Sequence, residues 1–265
     1  MTQSAGIITA SRLGVRTQNA VNLTAANNVN ILTGNVSGAG NAFTFQNEAD
    51  GFAVGGIAAN GTIFSATAGI TTAATTASGA ESGDITLSAT AGSITISQNL
   101  TTGNATVANA AGVTTAKSGD ISVTSVTGIT GAGRLITGNA SVDAVTAGNI
   151  DTATSGTITL NVTGSGDVGL SVADALTIGS ATVTNNTADD TATTGNIVIT
   201  SADRVNNGTP GSALDVSFGS ASGGQTNTAG TLATTTDGGA AAAGEIRFTS
   251  GEALTLGALT TAGGT

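Results

Sequence analysis

The sequence predicts an all-β fold wound as a parallel β-helix (β-solenoid), and three observations predict it. A strand motif returns at a nearly constant step, its residues alternate apolar and polar, and the composition suits stacked strands better than a helical core. The motif is clearest in residues 83–97, GDITLSATAGSITIS. There Ile85, Leu87, Ile94 and Ile96 fall on one side of a pleated backbone, and Asp84, Thr86, Ser93 and Thr95 on the other. β-Branched residues suit such half-buried strands, and a glycine with a polar neighbour before each run is turn chemistry.

The unit recurs as Gly119-Asp120-Ile121-Ser122-Val123, Gly156-Thr157-Ile158-Thr159-Leu160, Gly195-Asn196-Ile197-Val198-Ile199 and Gly244-Glu245-Ile246-Arg247-Phe248. Its glycines step by 36, 37, 39 and then 49 residues. Such periods mark a solenoid or a propeller, because one unit cannot bury its apolar face alone. The step fits two coils of roughly 18–20 residues or one propeller blade of about 40–45. Blades carry aromatic signatures, whereas this chain has no Trp, no Tyr and six Phe. An antiparallel sandwich is the other rival, since Gly92-Ser93-Ile94 and Gly166-Asp167-Val168 echo the motif at short range. A single proline in 265 residues argues against its many turns. The expectation is about 13 short coils, an elongated rod near ~60 Å at ~4.8 Å per rung. Ile85 and Leu87 would then lie two coils from Ile121 and Val123.

Composition narrows the function classes. With 40 Gly, 2% aromatic, 8% charged and 39% hydrophobic residues, the chain has apolar pairs to bury, which disfavours disorder. Gly, Thr, Ser, Asn and Val without a 3.6-residue stripe disfavour helices. A net charge of −10, with only Lys117 and five scattered Arg, argues against nucleic acid and anionic membranes as partners. No apolar run is long enough for membrane insertion. The absence of Cys removes disulfides and thiolate sites and is compatible with passage through an oxidising periplasm. Met1-Thr2-Gln3-Ser4 carries no signal-peptide pattern, and Gly257-Ala258-Leu259-Thr260 is still repeat-like. The expectation is one solenoid segment, 1–265, of a longer protein with its targeting and anchoring parts elsewhere.

Within that segment, 1–70 reads as irregular Phe-containing coils, 83–200 as regular repeats, 201–244 as coils with loop excursions and 245–265 as a final coil. The first part has the runs Val21-Asn22-Leu23, Val29-Asn30-Ile31, Phe43-Thr44-Phe45 and Phe52-Ala53-Val54, and four of the six Phe. Residues 25–57, AANNVNILTGNVSGAGNAFTFQNEADGFAVGGI, resemble the repeats of filamentous-haemagglutinin-like adhesins. The shared pattern is an Asn-Val run, a Gly-Ala-Gly turn, a Phe-x-Phe pair, an acidic Ala-Asp and a Gly-rich strand; residues 83–113 are similar to those repeats too. The resemblance implies a right-handed winding, export by a two-partner system and a place at the bacterial outer surface. It implies a structural or adhesive shaft whose partners are copies of itself, or glycans and proteins of a host or matrix. The family's secretion domain and effector region are not recognisable here. In 201–244 the extra residues fall at 206–211, with Pro210, and at 219–230; a loop insertion explains them more simply than a binding site.

Candidate sites are few, and no catalytic, cofactor-binding or metal residue is assigned. Gly164-Ser165-Gly166-Asp167-Val168-Gly169 matches the dinucleotide fingerprint but lacks the helix that must follow. Asp84, Asp120 and Asp167 read as turn residues, since carboxylates two coils apart would stand ~10 Å from each other. Without His, Cys or Tyr, catalysis falls to carboxylate pairs such as Glu48/Asp50 and Asp189/Asp190, or to Asp203-Arg204 in a polysaccharide lyase. A carbohydrate-active solenoid enzyme is thus the alternative function. Nine Asn-x-Ser/Thr sites are what so much Asn, Ser and Thr produces by chance. An ice-binding face, suggested by Thr75-Thr76 and Thr234 to Thr236, is a further alternative, set low because the Thr-x-Thr spacing does not return from coil to coil.

Overall fold

A computed structural model describes residues 1–110, 114–144, 151–184, 190–201, 205–206, 214, 216–222, 226–236, 246–248, 255–256 and 260–262. The chain is all-β, with no helix among the described residues, and its strands stack in parallel as in a β-helix. The exception is a short antiparallel pair, Gly56–Ile57 with Thr67–Ala68, in an excursion of the early coils.

The coil is longer than expected. Ile85 pairs directly with Ile121, Ile121 with Ile158, Ile158 with Ile197, and Ile197 with Leu232. One motif step is therefore one turn of the chain, not two. The column Val21, Phe43, Ile85, Ile121, Ile158, Ile197, Leu232 has seven rungs, Ala233 pairs on with Thr260 in an eighth, and Thr2 pairs with Asn22 in a ninth below them. The 13 short coils are thus corrected to nine rungs among the described residues. The repeat placed at Gly244 is corrected too. Leu232, after Gly230-Thr231, continues the column, whereas Ile246 and Phe248 pair with Val216 and Phe218 on another side of the coil. Within the expected excursion at 219–230, Ala221–Ser222 and Thr226–Ala229 are ordinary rungs.

Each regular coil has two lobes. In the main lobe three strand columns surround one apolar core, led by Ile85 and Leu87, Ile94 and Ile96, and Leu100, all without solvent exposure. Alternation explains this: Thr86 and Thr95 face outward while their neighbours stack on like residues above and below. Each fully buried Ile or Leu contributes about 1.5–3 kcal/mol of transfer free energy. The second lobe is thinner. Ala105–Ala110, Ala140–Ala144, Ala181–Val183 and Ala221–Ser222 form one small sheet, and Thr115–Lys117, Thr152–Thr154, Thr191–Thr193, Thr226–Ala229 and Thr255–Leu256 the other. Between them lies a separate core of Ala and Val, including Ala116, Val142, Ala153, Val183 and Ala192. Alanine leaves little room between facing strands, so two sheets pack closely with no large side chain.

The early coils are shorter and have one lobe. Thr9 pairs with Asn28, 19 residues on, and Val21 with Phe43, 22 residues on. The next coil, from Phe43 to Ile85, starts the second lobe and has an aromatic core: Phe43 and Phe45 stack on Ile85 and Leu87, and Phe45 meets Phe52 edge-on at 5.3 Å. Gly34 leaves the space that the Phe43 ring fills.

Candidate functional site

The two lobes meet at a waist built from hydroxyls and glycines. On one side Ser82, Ser118, Ser155 and Thr194, all buried, precede Gly83, Gly119, Gly156 and Gly195. Each hydroxyl accepts the amide of the glycine one coil on: Gly119 N–H to Ser82 Oγ, Gly156 to Ser118, Gly195 to Ser155 and Gly230 to Thr194. On the other side Thr72, Thr102 and Thr137 accept Gly103, Gly138 and Gly179 in the same way. The two sides are tied across the coil, because Ser82 Oγ donates to the Gly103 carbonyl and Thr102 Oγ1 to that of Gly119. A Cβ on Gly156 would stand 2.0 Å from the Gly119 oxygen, and one on Gly179 2.1 Å from the Gly138 oxygen. These glycines serve close approach of backbones rather than an unusual φ.

The polar residue after each glycine extends this ladder. Asp84 Oδ1 accepts the Asp120 amide, Asp120 Oδ1 that of Thr157, Thr157 Oγ1 that of Asn196, and Asn196 Oδ1 that of Thr231. Asp84 and Asp120 thus act between coils and not within a local turn. Because the motif step is one coil, they are close neighbours, contrary to the expected ~10 Å. With Glu81 they bring carboxylate oxygens within 4.8 Å of one another. Lys117 enters this cluster, paired with Glu81 and, at 3.1 Å, with Asp120. Partial burial opposes its charge, but the hydrogen bonds to Glu81 and Asp120 outweigh that and raise its pKa. An ammonium ion supplies the counter-charge this cluster needs. Asp167 sits apart, before Val168–Leu170.

A second acidic pair lies inside the second lobe. Asp151 and Asp190 are buried at the starts of Thr152–Thr154 and Thr191–Thr193, one above the other. Asp151 Oδ1 accepts the Thr114 amide, Asp190 Oδ1 accepts the Asp151 amide, and Asp151 Oδ2 has no partner among the described residues. Burial raises the Asp151 pKa, the Thr114 amide lowers it, and the neighbouring Asp190 charge raises it; the net direction is upward. Adjacency in sequence had paired Asp190 with Asp189, which lies outside the described residues. Its partner in space is 39 residues away.

The other candidates do not converge. Glu48 and Asp50 lie in one exposed turn, where Glu48 accepts from Gln46 and Asp50 from Gly51 N–H. Residues 164–167 turn between Ile158–Val162 and Val168–Leu170, so the fingerprint's Val168 and Gly169 already lie in a strand and not in a helix. Asp203-Arg204 and Pro210 lie outside the described residues. A groove of about 350 Å³ runs along the waist beside Asn139, Thr177, Ser180 and Ser217, with Asp174 as its one charged lining residue. Asp174 is also the single non-glycine residue at positive φ, 50°, among the described residues. It sits where the Leu170-to-Leu176 corner is two residues longer than the Gly131-to-Leu135 corner below it. The chain matches no protein-family model, no curated protein and no solved structure.

Proposed function

We propose that this chain is a length of non-catalytic shaft, structural or adhesive, in a large bacterial surface protein or extracellular filament. It is wound as a right-handed parallel β-helix and exported across the outer membrane. Its partners are copies of itself along or beside the rod, and glycans or proteins of a host or matrix. The observation that carries the reading is the continuous column Ile85, Ile121, Ile158, Ile197, Leu232. Each coil binds only its neighbours, so length grows by addition of coils with no centre to rebuild. Polar outer residues and inter-coil ladders of Asp, Asn, Ser and Thr support it, since they fix register at every rung. At ~4.8 Å per rung the nine rungs contribute roughly 43 Å of shaft.

Coil excision tests this. Removing residues 121–157 joins Asp120 to Ile158, preserves every ladder, and is expected to leave a folded, surface-displayed protein shorter by one rung. Removing 121–138 joins Asp120 to Asn139, breaks the phase, and is expected to abolish folding. Equal damage from both deletions, or release of reducing ends from a polysaccharide panel by the intact chain, would overturn the shaft reading.

A further inference from the structure

We propose that the outer face of the second lobe binds the ordered water of an ice surface. The strands Thr115–Lys117, Thr152–Thr154, Thr191–Thr193, Thr226–Ala229 and Thr255–Leu256 pair in parallel without a register shift. One column of residues reads Thr115, Thr152, Thr191, Thr226; the next reads Lys117, Thr154, Thr193, Thr228, Thr255. The Thr-x-Thr spacing is thus kept over three successive coils, at 152–154, 191–193 and 226–228, which corrects the expectation that it does not return. Neither stretch first suspected forms this face: Thr75 is buried, and Thr234 pairs with Ile199 in the main lobe.

The alternation that puts Ala116, Ala153 and Ala192 inside the second lobe puts Thr152, Thr154, Thr191 and Thr193 outside, each half-buried by its neighbours. The result is a two-dimensional net, ~4.8 Å from rung to rung and about 6.6 Å along each strand. Those repeats lie close to the oxygen spacings on a prism face of hexagonal ice. Thr is stiff at χ1, so its hydroxyl and methyl hold their places without further ordering. Charge enters this column only at one end, where Lys117 pairs in register with Glu81, its ion-pair partner, in the coil below.

A peptide or glycan needs one or two good contacts, whereas only a lattice is read by coherent repetition in both directions. The main-lobe sheet lacks that coherence: its corresponding outer columns read Thr86, Ser122, Thr159, Val198 and Ser88, Thr124, Asn161, Thr200. The inference is independent of the shaft reading.

The test measures thermal hysteresis and inhibition of ice recrystallisation for the purified chain. Activity is expected for the unmodified protein, with most of it lost in Thr152→Tyr and Thr193→Tyr and none lost in the main-lobe control Thr159→Tyr. Melting curves check folding, and the smaller change Thr154→Ala serves where a tyrosine variant fails to fold. The proposal is overturned by an unmodified chain that neither shapes nor slows ice, or by equal loss in the control. Concentration-dependent dimers lost in the same variants, without ice activity, would instead make this face a contact between copies of the chain.

Discussion

The early one-lobed coils and the later two-lobed coils share one core column and differ at a single point of the turn. Val36 pairs with Thr72 in the next coil, so an apolar rung gives way to a hydroxyl at the place where the second lobe starts. Val36 packs in the main core, whereas Thr72 donates to the Gly83 carbonyl and accepts the Gly103 amide. A chain crossing the core at that point needs its peptide groups satisfied, because a buried unpaired amide costs about 1–3 kcal/mol. Hydroxyl ladders flanked by glycines meet that need, and the extra strands follow outside them. Large side chains, including the Phe43, Phe45 and Phe52 rings, fill the main lobe; close backbones and small side chains fill the second lobe.

The contrast is sharpest at glycine. In Gly156→Ala the new Cβ meets backbone at 2.0 Å, and backbone on adjacent rungs has nowhere to go. A loss of about 3 kcal/mol or more is expected in chemical denaturation. In Gly14→Ala the Cβ meets the Phe64 ring at 2.5 Å, a side chain on an excursion that can swing aside. A clearly smaller loss is expected there, and equal losses would remove the distinction between the two kinds of coil.

Ser118→Ala probes the waist itself. It leaves the Gly156 amide buried without its acceptor, for an expected cost of about 1–3 kcal/mol. Hydrogen exchange is expected to rise at Gly156 and across the second lobe before the main lobe opens. Uniform exchange through both lobes would show that the waist is not a separate seam.

The smallest effect is the pH dependence of the Asp151–Asp190 pair. The Asp151 pKa is raised above its ordinary 3.8, so the folded chain holds a proton that the unfolded chain releases. Its stabilising contribution is complete below the ordinary value and is lost as pH rises through the raised one. Asp151→Asn keeps an acceptor for the Thr114 amide and removes the charge. Relative to the unmodified chain, the variant is expected to gain melting temperature as pH rises, by at most a few degrees between about pH 3 and pH 8. A constant difference across that range would mean that Asp151 does not titrate there.

Much of the main lobe was legible in the sequence. Alternation at Ile85-Thr86-Leu87 and at Ile94-Thr95-Ile96 set both strands and their inward faces, because a pleated strand has a period of two whatever surrounds it. The motif at 83, 119, 156 and 195 told of like residues stacked on like. The last step misled because Gly244-Glu245-Ile246 imitates the motif better than Gly230-Thr231-Leu232, and only pairing distinguishes them. The second lobe was silent because Ala116, Ala153 and Ala192 carry little hydrophobic signal. The acidic contacts were missed because adjacent residues, not those one coil apart, were paired.

Composition and alternation alone therefore determined that the chain is all-β, stacked, and without His, Cys or Tyr. Tertiary structure decided that one motif step is one turn, that the turn closes twice, and that Asp84 meets Asp120 and Thr152 meets Thr191. The physical reason is that alternation is a property of one strand, whereas coil length is set by which backbone lies next to it. That choice rests on close glycine contacts and on hydrogen bonds between residues 35 to 40 apart, which no local pattern encodes.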